Sequence, residues 1–363
     1  MTYVRWFGCA AAVFIVLELL QLPLRKKNRK VIFALLLIIK FTAAIVIAYY
    51  SMAVCNRLVW NLGYLPAVLY AVLLCDAFAD LAFLVILLLR KKEMKAITMT
   101  LISLIITAAY MCYGTVNMQT ITPREHSYTS DKLKHDYKIV FLADLHYGSA
   151  QSAKTVEKVL SDIRNMKPDF VLLGGDITDE RTTEEEMKLI YKQIGKLGVP
   201  TFFMYGNHDR QSHGVYLGGA KYTPEELEKT IKDNGIRILK DEIQLWGDDL
   251  LILGRENDEE GPHRADVSEL PKLPKDRYVI CVDHSPYLEE DIKNTGADLQ
   301  LSGHTHAGQF FPLRYVYRLG VNNIYGDYRI GSTDLYVSSG ITGWYFPFRT
   351  EAHCNYEVIN LSK

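Results

Sequence analysis

The sequence predicts an N-terminal α-helical membrane domain of about four spans, followed by an α/β domain. Three observations carry that prediction. Four long apolar runs crowd the first third, the charge balance reverses near residue 114, and the rest alternates short apolar runs with amphipathic helical stretches. Of 363 residues, 49% are hydrophobic and 23% charged, a length that suits two or three domains with cores of their own. Residues 1–113 hold 12 Lys/Arg against 4 Asp/Glu, and residues 114–363 hold 29 against 38, so a net of +8 gives way to −9. An acidic second half argues against non-specific nucleic-acid binding, which needs a basic face. The six cysteines show no CxxC spacing and set no disulfide framework.

The apolar runs are Trp6–Leu24, Val31–Val54, Tyr64–Leu89 and Ala96–Tyr113. Each is long enough to cross a ~30 Å hydrocarbon core at ~1.5 Å per residue. Only Arg5 precedes the first run and no small-residue cleavage site follows it, so it reads as a retained span. Arg25, Lys26, Lys27, Arg29 and Lys30 follow span one, and Arg90, Lys91, Lys92 and Lys95 follow span three, whereas the intervening loop has only Arg57. The positive-inside rule puts the two basic loops in the cytoplasm and the second half outside it. A three-span count would reverse this. Glu18, Lys40, Asp76 and Asp80 lie inside the spans. Lys40 and Asp80 fall at similar depth, about 15 Å, and are expected to pair as a tie between spans. The spans show no repeat or interruption of the kind that builds a transporter.

Gly114–Asp136, with Pro123 and no clear period, reads as a linker to a domain over residues 137–363. Strands are expected at Tyr137–Ala143, Phe170–Leu173, Thr201–Tyr205, Tyr278–Val282, Asp298–Leu301, Leu335–Val337 and Tyr356–Ile359. Leu245–Leu253 reads as a hairpin turning at Gly247–Asp249. Helices are expected near Ser152–Met166, Thr183–Lys196 and Pro224–Asn234, the last with Thr223 as N-cap and Pro224 in its first position. Near-continuous apolar strands point to a sheet covered on both faces.

Five of these strands end in groups able to hold a metal: Asp144-Leu145-His146, Gly174-Gly175-Asp176, Gly206-Asn207-His208-Asp209, Asp283-His284 and Ser302-Gly303-His304-Thr305-His306. Ligands of open α/β sheets bind beyond the carboxyl ends of the strands, so the five groups can converge. One such pair is a weak signal. Five of the chain's ten histidines in these five groups are a strong one.

The series Asp144-x-His146, Gly175-Asp176-x-x-Asp179, Gly206-Asn207-His208-Asp209, His284 and Gly303-His304-x-His306 resembles the calcineurin-like metallophosphoesterases over residues 137–310. The spans, and Gln309 after the last motif, resemble a bacterial membrane-anchored branch that acts on lipid-linked diphosphates such as UDP-diacylglucosamine. That branch often has a second glycine where this chain has Ala307-Gly308. The resemblance implies a β-sandwich flanked by helices and two divalent metal ions (Mn, Fe or Zn). It implies that Asp144, His146, Asp176 and His306 hold one ion and that Asp176, Asn207, His284 and His304 hold the other. Hydroxide held between the metals would attack phosphorus, His208 would protonate the leaving oxygen, and Asp209 would orient His208. Asp179 is expected to brace its loop, and Arg210, His213 and His263 are candidates to touch substrate.

The function expected is a multi-pass, membrane-anchored phosphoesterase of the cell membrane, its catalytic domain extracytoplasmic, acting on a lipid-linked phosphate or diphosphate. Hydrolysis of soluble nucleotides or phosphodiesters, or a non-catalytic binding module on the same fold, are the alternatives. Phe310–Thr350 interleaves Phe310, Phe311, Tyr315, Tyr317, Trp344, Tyr345, Phe346 and Phe348 with four arginines. Such a composition suits a lipid-facing lip beside the metals.

Overall fold

A computed structural model describes residues 2–25, 30–53, 62–90, 95–257 and 264–363. Two compact units emerge: Met1–Val116 with Phe346–Phe348, and Asn117–Tyr345 with Arg349–Lys363.

The first unit contains helices α1 (Thr2–Arg25), α2 (Lys30–Ala53), α3 (Leu65–Arg90) and α4 (Ala96–Gln119). Each has a stretch long and apolar enough to cross a membrane: Val4–Leu24, Val31–Ser51, Leu65–Leu89 and Ala96–Gln119. Val54, Arg57 and the loop residues Lys26, Lys27, Arg29, Lys91 and Lys92 lie outside the described residues. Between the helices, Lys40 Nζ contacts the carboxylates of Asp80 and, at 2.7 Å, Asp76. Asp76 also accepts from Gln21 (2.6 Å) and Ser103 (2.7 Å), and Glu18 accepts from Thr100 (2.6 Å). Pairing of this kind offsets the cost of charge in an apolar bundle.

The second unit is a sandwich of two six-stranded sheets, ordered β1-β12-β2-β3-β4-β5 and β10-β11-β9-β8-β7-β6. Its strands are β1 (Ile121–Thr129), β2 (Tyr137–Leu142), β3 (Phe170–Leu173), β4 (Thr201–Phe203), β5 (Arg237–Ile238), β6 (Glu242–Trp246), β7 (Leu250–Gly254), β8 (Tyr278–Val282), β9 (Leu299–Ser302), β10 (Gly326–Ile330), β11 (Thr333–Val337) and β12 (Cys354–Ser362). Its helices are α5 (Ala153–Met166), α6 (Glu184–Gly195), α7 (Pro224–Asp233), α8 (Glu289–Thr295) and α9 (Leu313–Tyr317).

The apolar strands bury both faces. Ile139, Phe141 and Leu172 point between the sheets toward Ile252, Ile280 and Leu301, while their neighbours Val140, Leu142 and Leu173 meet Val159, Ile190 and Ile231 of the flanking helices. That two-sided burial removes the polar alternation a half-exposed strand would show. The helix starts follow local chemistry. Ser152 caps α5, and Thr183 and Thr223 form capping boxes with Glu186 and Glu226, Pro224 opening α7.

β2, β3 and β4 run parallel, as do β7, β8 and β9, so within each sheet their carboxyl ends share one edge. The expected linker is not a linker. Residues 114–119 complete α4, and Ile121–Thr129 form β1, paired in parallel with β12 from Ile121↔Cys354 to Thr129↔Ser362.

Candidate metal centre

The loops leaving β2, β3, β4, β8 and β9 are cross-braced by their own backbones. The amides of Leu145 and His146 donate to the Asp176 carbonyl at 2.8 and 2.9 Å, and the Gly303 amide donates to the His284 carbonyl at 3.0 Å. The His304 amide donates to both Asp144 carboxylate oxygens, at 3.0 and 3.1 Å. These turns are sharp enough to force Asp144, His146, Asp176, His304 and His306 into left-handed backbone, with φ of 53°, 42°, 52°, 73° and 48°. Non-glycine residues seldom adopt it, and a cluster of them marks a site whose geometry overrides backbone preference. Gly206 is required for a different reason: a Cβ there would fall 2.2 Å from Asp176 Oδ1.

Two ligand groups result, Asp144–His146–His306 and Asp176–His284–His304, each with donor atoms within 4.8 Å of one another. In the first, the Nε2 atoms of His146 and His306 stand 3.3 Å apart, and His306 Nε2 is 3.6 Å from Asp144 Oδ1. In the second, His284 Nε2 lies 3.1 Å from Asp176 Oδ2, and the Asn207 Oδ1 atom is 2.9 Å from His304 Nδ1. Asp176 Oδ2 is also 3.7 Å from His146 Nε2, so this carboxylate stands between the groups.

The donor set fits divalent cations. His284 Nδ1 lies 2.7 Å from the Gly174 carbonyl and His306 Nδ1 lies 3.1 Å from that of Thr342, so each Nδ1 carries a proton and each Nε2 is aimed into the site. The Nε2 atom of His284 is buried and faces the Asp176 carboxylate. Burial opposes charge on His306, and His146 and Arg349 push its pKa further down, which keeps the ring neutral. Burial raises the Asp144 carboxyl, with Asp176's charge adding to the effect. For Asp176 burial also opposes ionisation, but His284 and His208 hold it well below the ordinary range. Burial would depress His284, yet Asp176 lifts it to about 10. The two facing buried carboxylates call for positive charge, which a bound metal ion would supply.

His208, beside Asn207, is held differently from the expectation. Its Nδ1 lies 2.9 Å from both oxygens of Glu180, which is fully buried. Asp209 is corrected as the orienting acid. Its carboxylate accepts the amides of Asp176 (2.8 Å), Ile177 (2.9 Å), Thr178 (3.1 Å) and Gly206 (2.8 Å), and so staples two ligand loops together. Burial, reinforced by Asp176 and resisted by these amides, pushes its pKa to about 6. Glu180 was available in the sequence, four residues past Asp176, but nothing local separates it from Asp179. Asp179 braces its loop, accepting the Arg181 amide at 2.8 Å and facing His146 Nδ1 at 3.4 Å.

A loop after β11 completes the site and carried no chemical motif. Thr342 supplies the carbonyl behind His306, and buried Arg349 donates to the Ser339, Thr342 and His306 carbonyls at 2.6, 3.0 and 3.2 Å. Trp344 stacks on His208 with centroids 5.8 Å apart, and its amide donates to Gln309 Oε1 at 2.8 Å. Of the aromatics expected to form a lip, Phe310, Trp344, Tyr345, Phe346 and Phe348 are buried, Tyr317 is half-buried, and Phe311 and Tyr315 are exposed, so the lip as expected around Trp344 does not form. Of the substrate-contact candidates, Arg210 is clamped by Glu256 at 2.8 and 2.9 Å over the Tyr205 ring, the His213 ring sits 5.8 Å from His208, and His263 lies outside the described residues.

Residues 137–308 match the family model described as calcineurin-like phosphoesterase. An uncharacterised metallophosphoesterase of Campylobacter jejuni is 28% identical over 312 residues, covering 81% of this chain and 80% of that protein. A transmembrane protein with metallophosphoesterase domain of Danio rerio is 27% identical over 288 residues, 72% of this chain and 62% of its own. Phosphodiesterase YaeI of Escherichia coli is 29% identical over 185 residues, 48% of this chain and 62% of its own. The domain that follows the four apolar helices is thus similar, over residues 137–308, to the calcineurin-like phosphoesterases, and the chain is a metal-dependent hydrolase of phosphoester bonds.

Proposed function

We propose that this phosphoesterase acts on a lipid-linked phosphoester or diphosphate. In this reading Asp144, His146, Asp176 and His306 hold one divalent cation, and Asp176, Asn207, His284 and His304 the other. Oxygen and imidazole donors without thiolate suit manganese, iron or zinc. Such cations, when bound, supply Lewis acidity toward phosphoryl oxygens and acidify water. Asp176 stands where one carboxylate can serve both ligand groups. His208 carries a proton toward the leaving oxygen from Nε2, while Glu180 fixes its Nδ1 and Trp344 covers one ring face.

The observation that carries the lipid reading is the join between span and catalytic domain. Gln119 ends the fourth apolar helix and Ile121 begins β1, with only Thr120 between them. Such a tether holds the metal centre at high local concentration with respect to bilayer substrates. The two basic loops favour an extracytoplasmic catalytic domain. The test is the full chain, reconstituted in vesicles with Mn²⁺, given phosphoesters of increasing acyl length and their water-soluble headgroup analogue. Rates should climb with chain length. Equal rates on the soluble analogue would favour the second reading, a phosphodiesterase of soluble substrates; the Escherichia coli relative is named a phosphodiesterase.

A further inference from the structure

The catalytic domain carries an exposed apolar and basic surface that neither the metal centre nor the core uses. It lies on α9 and the turn after it, from Arg314 to Val321. Here Leu319 is 88% exposed, Tyr315 51% and Val321 36%. Between and beside them stand Arg314 and exposed Arg318, and residues 311–325 contain no Asp or Glu. Large aliphatic side chains this exposed, set among arginines, are the composition of a surface that enters a lipid interface.

Its position points to the same partner. Arg314 shares one groove with Thr122, Arg124 and Tyr325. The Arg124 Nη1 donates to the Tyr325 hydroxyl at 2.7 Å, and both guanidinium groups lie over that ring, at 5.5 and 5.9 Å from its centre. Thr122 is three residues past Gln119, where α4 ends, and three residues of extended chain span at most ~10 Å. The groove is therefore lined in part by the first residues of the chain after the fourth apolar helix. Arg314 and Arg124 also meet Glu351 (3.6 Å) and Asp327 (3.8 Å), so Arg318 carries the outward positive charge.

We propose that the Arg314–Val321 surface seats the catalytic domain on a bilayer containing anionic lipid, with Leu319 and Val321 in the interface and Arg318 among the headgroups. Positive charge near the surface and apolar side chains at the acyl boundary reinforce one another, and both are needed for selective seating. The reading concerns where the domain rests and does not depend on what the metal centre hydrolyses.

The experiment uses the full chain, one copy per nanodisc, carrying Leu319→Cys labelled with an environment-sensitive fluorophore. Unsubstituted protein taken through the same labelling sets the background from native cysteines. Leu245→Cys, at a position 53% exposed on β6, is the control. In discs of phosphatidylcholine with phosphatidylglycerol and brominated acyl chains, the probe at 319 should shift to the blue and lose most of its intensity, while that at 245 stays bright. Omitting phosphatidylglycerol, or adding Arg318→Ser, should restore most of the lost intensity. Equal quenching at the two positions, indifference to phosphatidylglycerol, or a blue shift without lipid quenching (a surface covered by protein) would overturn the proposal. Both substituted side chains are exposed, and unchanged melting of the labelled proteins confirms that folding is intact.

Discussion

Both carboxylate oxygens of Glu180 lie 2.9 Å from Nδ1 of His208, and neither residue is more than one-tenth exposed. A buried carboxylate in this position fixes the imidazole's tautomer and aims Nε2 away from itself. Glu180→Gln should therefore keep the metal content while slowing turnover by about 10²-fold on substrates with poor leaving groups. On an aryl ester whose leaving group needs no proton, the loss should be far smaller. A uniform loss across leaving groups would assign Glu180 to structure alone.

Asp176 touches both ligand groups, so Asp176→Asn should abolish hydrolysis and lower bound metal, measured by elemental analysis of the purified chain. Chelation of the unsubstituted protein should abolish activity, and added Mn²⁺ or Zn²⁺ should restore it. His208→Ala should keep its metal and lose only rate. Metal loss in that variant would contradict the division of labour.

Asp249 tests electrostatics away from the metal centre. Its carboxylate accepts the Lys134 and His135 amides, at 2.6 and 3.0 Å, and the Tyr137 hydroxyl. Burial alone would raise its pKa, but the Tyr137 hydroxyl and the amides hold it below the ordinary carboxylate range. Because the folded pKa is depressed, the stabilisation is present above the unfolded pKa of ~4 and is lost as pH falls through the folded value. Asp249→Asn should cost about 1–2 kcal/mol near neutral pH. Its melting temperature should approach that of the parent chain as pH drops toward ~3.

Topology can be read with one cysteine. Asp131 is exposed just beyond β1, and Asp131→Cys should react with a membrane-impermeant thiol reagent in intact cells if the catalytic domain faces outward. Protection until lysis would place the domain in the cytoplasm and make a cytoplasmic lipid precursor the substrate to test.

The interior strands were legible because two-sided burial writes an unbroken apolar run into the sequence. Phe170–Leu173 and Tyr278–Val282 have the same bounds in sequence and structure. β1 and β10 escaped because each is a sheet edge. Half of β1 is exposed, and Pro123 sits within it, a residue that only an edge strand tolerates. The residues that gather in the two candidate ligand groups were legible because their spacing follows strand ends. The partner of His208 was not, since Asp209 is its neighbour along the chain and Glu180 its neighbour in space. Arg349 left no trace either: its role is to satisfy carbonyls, and carbonyls are invisible in a sequence.

The left-handed backbone at Asp144, His146, Asp176, His304 and His306 also bears on how this enzyme can be engineered. Glycine is the residue such dihedrals prefer, so a stability screen or a design scheme that scores backbone compatibility would rank glycine highly at all five positions. Each such change relaxes a turn and removes a side chain from the candidate metal centre. Selection for thermal tolerance without selection for turnover should thus erode this catalyst first at its centre, and a library meant to harden the protein should hold these five codons fixed.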